Sequence, residues 1–268
     1  MKSNIIFNSP ILLKLYNDNQ LKHVLKLFKN EINDQNFIGA GCDASVFRYQ
    51  EGQKVLKLCH KKINFFKKFE TTSAMQFKEI INGLGRFFIP IEEILYEDAN
   101  VFIYTQNTCH MLREYQLNVS IICRIFRMIQ EMLKKNVLLT DISTRNLGVI
   151  NQSIVFFDYH GLRPFQTTNG IRQNWWIRLF RYLTKYLLMV YDVKKYEQLK
   201  ILLDKNIFHK NIDKLKRYLP SRYVELLEYV SISGNHVEIN EMLRLFQSLF
   251  QGKEFYWICT VENTEQKN

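Results

Sequence analysis

The sequence predicts an α+β fold with two lobes: a small, strand-rich lobe over about residues 1–106 and a larger, helical lobe over about residues 107–268. Short runs rich in β-branched and aromatic residues, the usual composition of strands, recur between Phe37 and Tyr104. After Asn118, apolar residues follow a 3.6-residue period instead. Only 4 Pro and 10 Gly are present and no linker of biased composition divides the chain, so both lobes are predicted to belong to one domain over 1–268.

Within the first lobe, each element follows from apolar spacing and turn residues. A helix is predicted from a cap at Asn17 or Asp18 to about Asn33, because apolar residues recur there at helical spacing. A second helix is predicted around Phe77 to Leu84. Five strands are predicted, three before that helix and two after it: 37–38, 45–49, 54–58, 91–96 and 101–104.

The second lobe is predicted to be helical apart from one pair of strands. Seven apolar residues between Ile121 and Leu133 keep a helical period, which indicates a long buried helix. Two short strands, 147–150 and 154–157, flank Asn151-Gln152. From Ile171 the pattern is helical almost to the end of the sequence.

Composition favours a soluble protein in a reducing compartment. The apolar stretch 11–13 is too short for a secretory signal, and the apolar stretch 186–191 is too short to cross a bilayer. Five cysteines with no CxxC pair are predicted to be reduced thiols.

The net charge of +11 is unevenly distributed. Between Arg172 and Arg222 there are thirteen Lys or Arg against four Asp or Glu, a net charge of +9. Such a segment favours an anionic partner, namely a membrane surface, an anionic glycolipid or nucleic acid, although a solvated helix face gives the same pattern.

Two candidate groups for phosphate binding lie in the first lobe. Gly39 and Gly41 stand between two predicted strands, where glycine lets backbone N–H groups approach phosphate oxygens, although a tight hairpin turn gives the same pattern. Lys57 lies in an apolar strand, where a cation is costly unless it is paired. Glu79 on the next helix is the predicted partner and Glu70 the second choice. Otherwise the lysine points to solvent.

The most specific pattern is Thr140-Asp141-Ile142-Ser143-Thr144-Arg145-Asn146, after the long helix and before a strand. Asp141 is placed to accept the proton of an acceptor hydroxyl, and Asn146 to bind a metal ion through its side-chain oxygen. Asp158, at the end of a hydrophobic strand, is placed to bind Mg²⁺ between phosphates. A polar connecting loop and a turn-forming Asp are the alternatives, although the apolar flanks make a buried polar loop less ordinary.

Taken together, these residues occur in the order that a kinase requires, and over about residues 36–165 the chain resembles the protein-kinase-like superfamily. In that resemblance the glycine-rich loop is represented by Gly39, Gly41 and Ala44, the strand lysine by Lys57, the helix glutamate by Glu79, the catalytic-loop pair by Asp141 and Asn146, and the metal aspartate by Asp158. The resemblance implies ATP, Mg²⁺ and in-line phosphoryl transfer. Arg145 is predicted to place its charge near the γ-phosphate.

The chain departs from the usual pattern of that superfamily at four points. Ala44 replaces the third glycine, and Leu139-Thr140 replaces the His-Arg before the catalytic Asp. The metal motif Asp158-Tyr159-His160-Gly161 is one residue longer than usual, and no Ala-Pro-Glu segment follows. These departures argue against a eukaryotic-type protein substrate and leave the acidic residues in place.

In pattern the chain is most similar to bacterial kinases that phosphorylate heptose or Kdo sugars of the lipopolysaccharide core. The loop without His-Arg, the Lys- and Phe-rich run 61–69 and the segment 174–183 carry this similarity. It implies an anionic glycolipid substrate and a cytoplasmic enzyme, peripheral at the inner face of the inner membrane. The segment 175–191 has an apolar stripe and a basic stripe, as expected of a helix on an anionic membrane or of a core helix with a basic outer face.

Other function classes remain open. If the chain is a protein kinase, such as a compact bacterial effector, every residue assignment is the same and only the phosphate acceptor differs. A kinase of choline or aminoglycosides needs an acidic pocket, against which the basic segment argues. A nucleic-acid-binding module explains the net charge of +11 but not the ordered set of polar residues, and no recognition motif for nucleic acid is present.

Overall fold

The structure is a computed structural model that describes residues 19–41, 44–61, 69–151, 153–166, 171–233 and 236–251. The chain divides into two compact units, Met1–His110 and Met111–Asn268. The first is rich in strands and the second is mainly helical, which confirms the predicted α+β class. The predicted cap at Asn17 or Asp18, the loop residues Cys42 and Asp43, and most of the Lys- and Phe-rich run (62–68) lie outside the described residues.

The first unit contains a five-stranded antiparallel sheet with the strand order β1-β2-β3-β5-β4. Its strands are β1 (Phe37–Ala40), β2 (Ala44–Tyr49), β3 (Lys54–His60), β4 (Ile91–Glu97) and β5 (Val101–Asn107). The central strand β3 pairs with β2 and β5, so that Lys57 lies opposite Val46 on one side and Tyr104 on the other.

Two helices, α1 (Asn19–Leu27) and α2 (Ala74–Gly83), pack against the sheet from opposite faces. One face forms an apolar cluster with α1 that contains Val24, Phe47, Leu56, Leu58, Val101 and Ile103. On the other face, the ring of Phe77 in α2 contacts the rings of Phe102 and Tyr104, at centroid distances of 5.4 and 6.0 Å. Successive residues of a strand point to opposite faces, so Lys57 is on the α2 side.

The first helix ends at Leu27, earlier than the predicted end near Asn33. Asparagine side chains account for the difference, since they bond to the backbone of residues 28–36 and compete with helical hydrogen bonds. Asn33 Nδ2 donates to Asn30 O at 2.7 Å, and Asn36 N donates to Asn33 Oδ1 at 3.0 Å.

Helix α2 is capped and tied to the edge strand. The Ser73 hydroxyl accepts from Gln76 N at the helix start. Asn82 exchanges two hydrogen bonds with the backbone of Ile91 in β4, at 3.0 and 2.8 Å. These contacts fix the rotation of the helix, so that Phe77 and Ile81 face the sheet.

The second unit is built on six α-helices in its described part: α3 (Val119–Lys134), α4 (Gln173–Tyr191), α5 (Val193–Leu199), α6 (Ile212–Leu215), α7 (Ser221–Ile232) and α8 (Ile239–Gln251). The core lies where α3, α4, α7 and α8 meet. Ring contacts there join Phe126, Phe180, Tyr223 and Phe246. Asn118 caps α3 by accepting from Ile121 N at 3.0 Å.

Seven short strands complete the described chain: β6 (His110–Met111), β7 (Val137–Leu139), β8 (Leu147–Ile150), β9 (Ser153–Phe156), β10 (Leu162–Pro164), β11 (Ile171–Arg172) and β12 (His236–Val237). The pair β8 and β9 matches the predicted strands to within one residue at each end. The other five have two or three residues, which is too short to leave a periodic signal in the sequence. The order of five antiparallel strands with one helix inserted, followed by a helical unit, is that of a protein-kinase-like fold.

Helix α4 is a core helix, and this decides between the two interpretations of segment 175–191. Its apolar stripe is buried inside the second unit: Trp176, Leu179, Phe180, Leu183 and Leu187 are at most 1% exposed. That stripe is therefore not available for insertion into a membrane, whereas Arg178 of the basic stripe is exposed. Among the described residues, no helix combines the length and the apolar character that a membrane crossing requires.

Candidate functional site

The loop that carries Asp141 starts from a buried strand. Strand β7 pairs with β10, so that Leu139 lies opposite Leu162. The next residue, Thr140, is completely buried, and both its backbone N–H and its hydroxyl donate to the carbonyl oxygen of Gly161, at 2.9 and 3.0 Å. The backbone beside Asp141 is thereby fixed to the segment that follows Asp158.

Gly161 lies so close to Asp141 that the Cβ of any other residue would be crowded. A Cβ atom on Gly161 would lie 3.1 Å from both the Cβ and the backbone N of Asp141, a distance that real Cβ atoms rarely show. The sequence marks this glycine as the end of the motif Asp158-Tyr159-His160-Gly161. Its contact with Asp141 is a tertiary relationship that the sequence does not reveal.

Asn146 and Asp141 are joined within one loop. Residues Thr144–Asn146 form a single 3₁₀ turn that starts at Ser143, and Asn146 is buried. The Asn146 Nδ2 atom donates to the backbone oxygen of Asp141 at 3.2 Å. Since only the NH₂ group donates, Oδ1 remains as the side-chain acceptor, which is the atom that a metal ion would use.

Asp158 is brought to the same end of the β8–β9 hairpin as Asn146. In the ladder, Leu147 lies opposite Phe156, and one step further Phe157 N donates to Asn146 O at 3.2 Å. Asp158 is the next residue and is half-buried. The hairpin turn at Asn151 has a positive φ of 47°, which asparagine tolerates better than most residues.

A carboxylate and an amide oxygen are hard donors that suit Mg²⁺, which commonly takes one or two protein ligands and completes its shell with water and phosphate oxygens. In the described part of the chain, no three or more His, Cys, Asp or Glu side chains group together to hold a metal ion. A metal ion on Asn146 and Asp158 therefore needs such additional oxygen ligands. Arg145, on the 3₁₀ turn beside Asn146, is exposed.

Two tyrosines of α4, which sequence reasoning missed, lie near this loop. The Tyr186 hydroxyl donates to the backbone oxygen of Ile142 at 2.6 Å. Tyr182, one turn earlier on the helix, is half-buried, and its burial, followed by the nearby Asp141, raises its pKa. The signal in the sequence is their spacing of four residues beside the apolar stripe of the helix.

In the first unit, Lys57 is buried in the central strand and is 8% exposed. Its Nζ lies 5.9 Å from the centroid of the Tyr104 ring, on the face covered by α2. Burial raises the pKa of the Cys109 thiol to about 11, and the positive charge of Lys57 acts in the opposite direction. The structure thus rejects the alternative in which this lysine points outward from the strand.

The structure gives no support to Glu79 as the partner of Lys57. Helix α2 buries Ala74, Phe77 and Ile81, whereas the Glu79 side chain is exposed. Two residues beyond Phe77 correspond to 200° of helical rotation, so the two side chains point in nearly opposite directions. The second choice, Glu70, is also exposed.

Gly39, Gly41 and Ala44 belong to the β1–β2 hairpin, which is closed by a hydrogen bond from Gly41 N to Ala44 O at 2.9 Å. A Cβ on Gly39 or Gly41 would meet no atom of the described chain within 4 Å. Neither glycine is required by packing or by a positive φ, which leaves the approach of another molecule to the backbone as a reason for glycine there.

Gln106 is a further polar group that sequence reasoning missed. It lies on β5 opposite Val55, on the same face as Tyr104, and is 1% exposed. Its Oε1 is buried and has no hydrogen-bond partner in the described part of the chain. A buried acceptor without a donor is costly, so this atom suits a ligand that carries an N–H group.

No protein-family model and no curated protein matches the sequence. Among solved structures, the chain is similar to one described as "Structure of vaccinia related kinase 3", with a TM-score of 0.46 and 10% sequence identity. The match covers 81% of this chain and 87% of that chain. The likeness is distant, and the functional proposal rests on the residues of this chain.

Proposed function

We propose that this protein is an ATP- and Mg²⁺-dependent phosphotransferase that moves the γ-phosphate of ATP to a hydroxyl group. The observation that carries the proposal is the loop in which Asn146 bonds to the Asp141 backbone while Gly161 packs on Asp141. A polar connecting loop has no need of such a close glycine contact or of a buried amide bonded to the backbone of an aspartate.

Each residue of the second unit has a distinct role in this proposal. Asp141 accepts the proton of the acceptor hydroxyl and orients that group for attack. Asn146 Oδ1 and the Asp158 carboxylate bind the metal ion. Mg²⁺, when bound, neutralises negative charge on the phosphate oxygens. Exposed Arg145 adds a positive charge close to these two ligands.

The first unit is proposed to bind the nucleotide. Lys57 supplies a desolvated positive charge for phosphate oxygens, and the N–H groups near Gly39 and Gly41 donate to them. Gln106 Oε1, which has no donor in the described part of the chain, suits the exocyclic amine of adenine. A buried acceptor without a donor among the described residues is costly for a purely structural unit, and a bound ligand offsets that cost.

For the acceptor, we propose a sugar hydroxyl on an anionic glycolipid of the lipopolysaccharide-core type, reached from the cytoplasmic side of the membrane. The support is electrostatic: burial raises the pKa of Tyr182, and the positive charges of Arg181 and Arg178 close to it act in the opposite direction. An acceptor that carries negative charge is attracted to these positive charges. A protein hydroxyl is the alternative acceptor.

The test offers radiolabelled ATP and Mg²⁺ to three acceptors in parallel: the protein itself, a protein mixture and dephosphorylated lipopolysaccharide. Label on lipopolysaccharide alone, lost in Asp141→Ala, supports the glycolipid acceptor. Label on protein would support the phosphotransferase activity and would show that the acceptor is a protein hydroxyl.

Calorimetric titration with ATP and Mg²⁺ separates binding from chemistry. We expect Asp141→Ala to bind ATP like the wild type while turnover falls by several orders of magnitude, and Asp158→Ala to weaken the Mg²⁺-dependent part of binding. Absence of both ATP binding and phosphate transfer would refute the proposal.

A further inference from the structure

The loop that carries Asp141 has little regular structure of its own. Residues 140–143 lie between strand β7 and the 3₁₀ turn Thr144–Asn146, in neither helix nor strand. Ile142, directly after Asp141, is completely buried. A buried backbone carbonyl outside helix and strand must find its hydrogen-bond partner elsewhere in the protein.

The donor to the Ile142 carbonyl is the hydroxyl of Tyr186, forty-four residues further along the chain. The two groups form a buried hydrogen bond of 2.6 Å, and Tyr186 is 1% exposed. Burial raises the pKa of Tyr186 well above its ordinary value. The hydroxyl therefore keeps its proton at neutral pH and remains a donor.

Helix α4 gives Tyr186 a fixed starting point. Leu179, Leu183 and Leu187 of this helix are at most 1% exposed, so the helix is packed into the core of the second unit. Close packing of this kind leaves little freedom for a helix to shift. The position from which Tyr186 extends is therefore set by the core and not by the loop.

Hydrogen bonds hold the backbone on both sides of Asp141. Before it, the N–H and the hydroxyl of Thr140 donate to the carbonyl oxygen of Gly161, at 2.9 and 3.0 Å. After it, Tyr186 holds Ile142. Because the direction of the Asp141 side chain is set by the backbone on either side, a shift at Ile142 would also turn the carboxylate.

We propose that Tyr186 is a positioning residue that, by holding the Ile142 carbonyl, fixes the direction in which the Asp141 side chain leaves the loop. This role rests on the proposed function, in which Asp141 accepts the proton of the acceptor hydroxyl. A displacement of about 1 Å at a reacting group can cost about 100-fold in rate, so one hydrogen bond on the adjacent residue is enough to affect turnover.

Amide hydrogen exchange tests the positioning of the loop without ATP. Tyr186→Phe keeps the ring and removes the donor to Ile142, so we expect the amides of residues 140–146 to exchange at least about tenfold faster. Tyr223→Phe is the matched control, because it also removes a buried hydroxyl that donates to a backbone oxygen, that of Phe180 at 3.1 Å. It should leave exchange in 140–146 at the wild-type rate. Unchanged exchange in Tyr186→Phe, or equal acceleration in both variants, would overturn the proposal.

Kinetics with the acceptor that takes up label test the effect on Asp141. At a temperature where all variants are folded, we expect Tyr186→Phe to lower kcat by about tenfold and to leave KM for ATP within about twofold, whereas Tyr223→Phe keeps the wild-type kcat. In the Asp141→Ala background, single-turnover rates should fall by less than about twofold on adding Tyr186→Phe, because the carboxylate that it positions is gone. An unchanged kcat, or the same loss in both backgrounds, would overturn the role.

A wild type that transfers no phosphate would refute the proposed function and, with it, any role of Tyr186 in turnover. The exchange experiment would still show whether Tyr186 holds the loop, because it needs neither ATP nor an acceptor.

Discussion

The side-chain amide of Asn146 donates a hydrogen bond to the backbone oxygen of Asp141, five residues earlier in the chain, at 3.2 Å. This bond links the residue proposed to bind the metal ion with the residue proposed to accept the proton. It also sets the orientation of the amide, with its NH₂ group on the loop and its oxygen left as an acceptor.

Asn146→Asp should separate the two roles of this amide, because it keeps an oxygen ligand and removes the donor. We expect the free energy of unfolding to fall by about 1–3 kcal/mol, since two acceptors then face each other in a buried site. Turnover should fall, while Mg²⁺-dependent ATP binding should survive better than in Asn146→Ala. Calorimetry and turnover assays measure these effects.

Asn211→Asp is a matched control for that substitution. Asn211 also donates from Nδ2 to a backbone oxygen, that of Ile207 at 2.9 Å, on a part of the chain without proposed chemistry. We expect a loss of stability with no specific loss of turnover. Wild-type turnover in Asn146→Asp would contradict the role given to the Asn146 bond.

Gly161→Ala should disturb Asp141 directly. The new methyl group would lie 3.1 Å from two Asp141 atoms, so Asp141 must give way by a few tenths of an ångström, at a cost of about 1–3 kcal/mol in unfolding free energy. We expect turnover to fall as the carboxylate moves. Gly83→Ala, where a Cβ meets no described atom within 4 Å, should be neutral or stabilising by about 0.5–1 kcal/mol. Equal turnover in the two variants would show that the Gly161 contact is unimportant.

Lys57→Met removes the buried charge and keeps the length of the side chain. We expect ATP affinity to fall by at least about tenfold, because the positive charge proposed to bind the phosphate oxygens is lost. Lys54→Met on the same strand is the control, since Lys54 is partly exposed and pairs with Glu92 at 2.5 Å. Glu79→Gln should leave ATP affinity unchanged, because that side chain is exposed. A large loss in Glu79→Gln would restore the predicted pairing with Lys57.

The Cys109 thiol should react slowly with alkylating reagents at neutral pH. Burial raises its pKa from an ordinary 9.0 to about 11, so the reactive thiolate is scarce at neutral pH. The pKa of the thiol is higher in the folded than in the unfolded state. The contribution of Cys109 to folding stability is therefore complete below pH 9 and is lost as pH rises toward 11. Mass spectrometry of the Cys109 peptide after alkylation over a pH series measures the midpoint, expected near 11.

Lys57→Met offers a second measurement on the same thiol. The positive charge of Lys57 lowers the pKa of Cys109, so its removal should move the alkylation midpoint to higher pH. A midpoint at or below 9 in the wild type, or a downward shift in the variant, would contradict the described environment of Cys109.

Local patterns were enough to predict the strands 147–150 and 154–157 and the loop between Asp141 and Asn146, because turn residues and apolar runs act over a few positions. Glu79 lies among apolar helix residues in the sequence, but a rotation of 200° from Phe77 leaves its side chain exposed. The sequence of helix α4 likewise does not specify its surroundings, since one stripe of apolar residues suits a membrane surface and a protein core alike.

The sequence by itself determined the α+β class, the order of the elements and the set of polar residues with potential chemistry, because periodicity and turn chemistry are local properties. Only the tertiary structure decided that Gly161 packs on Asp141, that α4 is a core helix, and that Tyr186 bonds to the backbone of Ile142. These relationships join residues twenty or more positions apart, and they depend on how helices and strands pack, which no local pattern specifies.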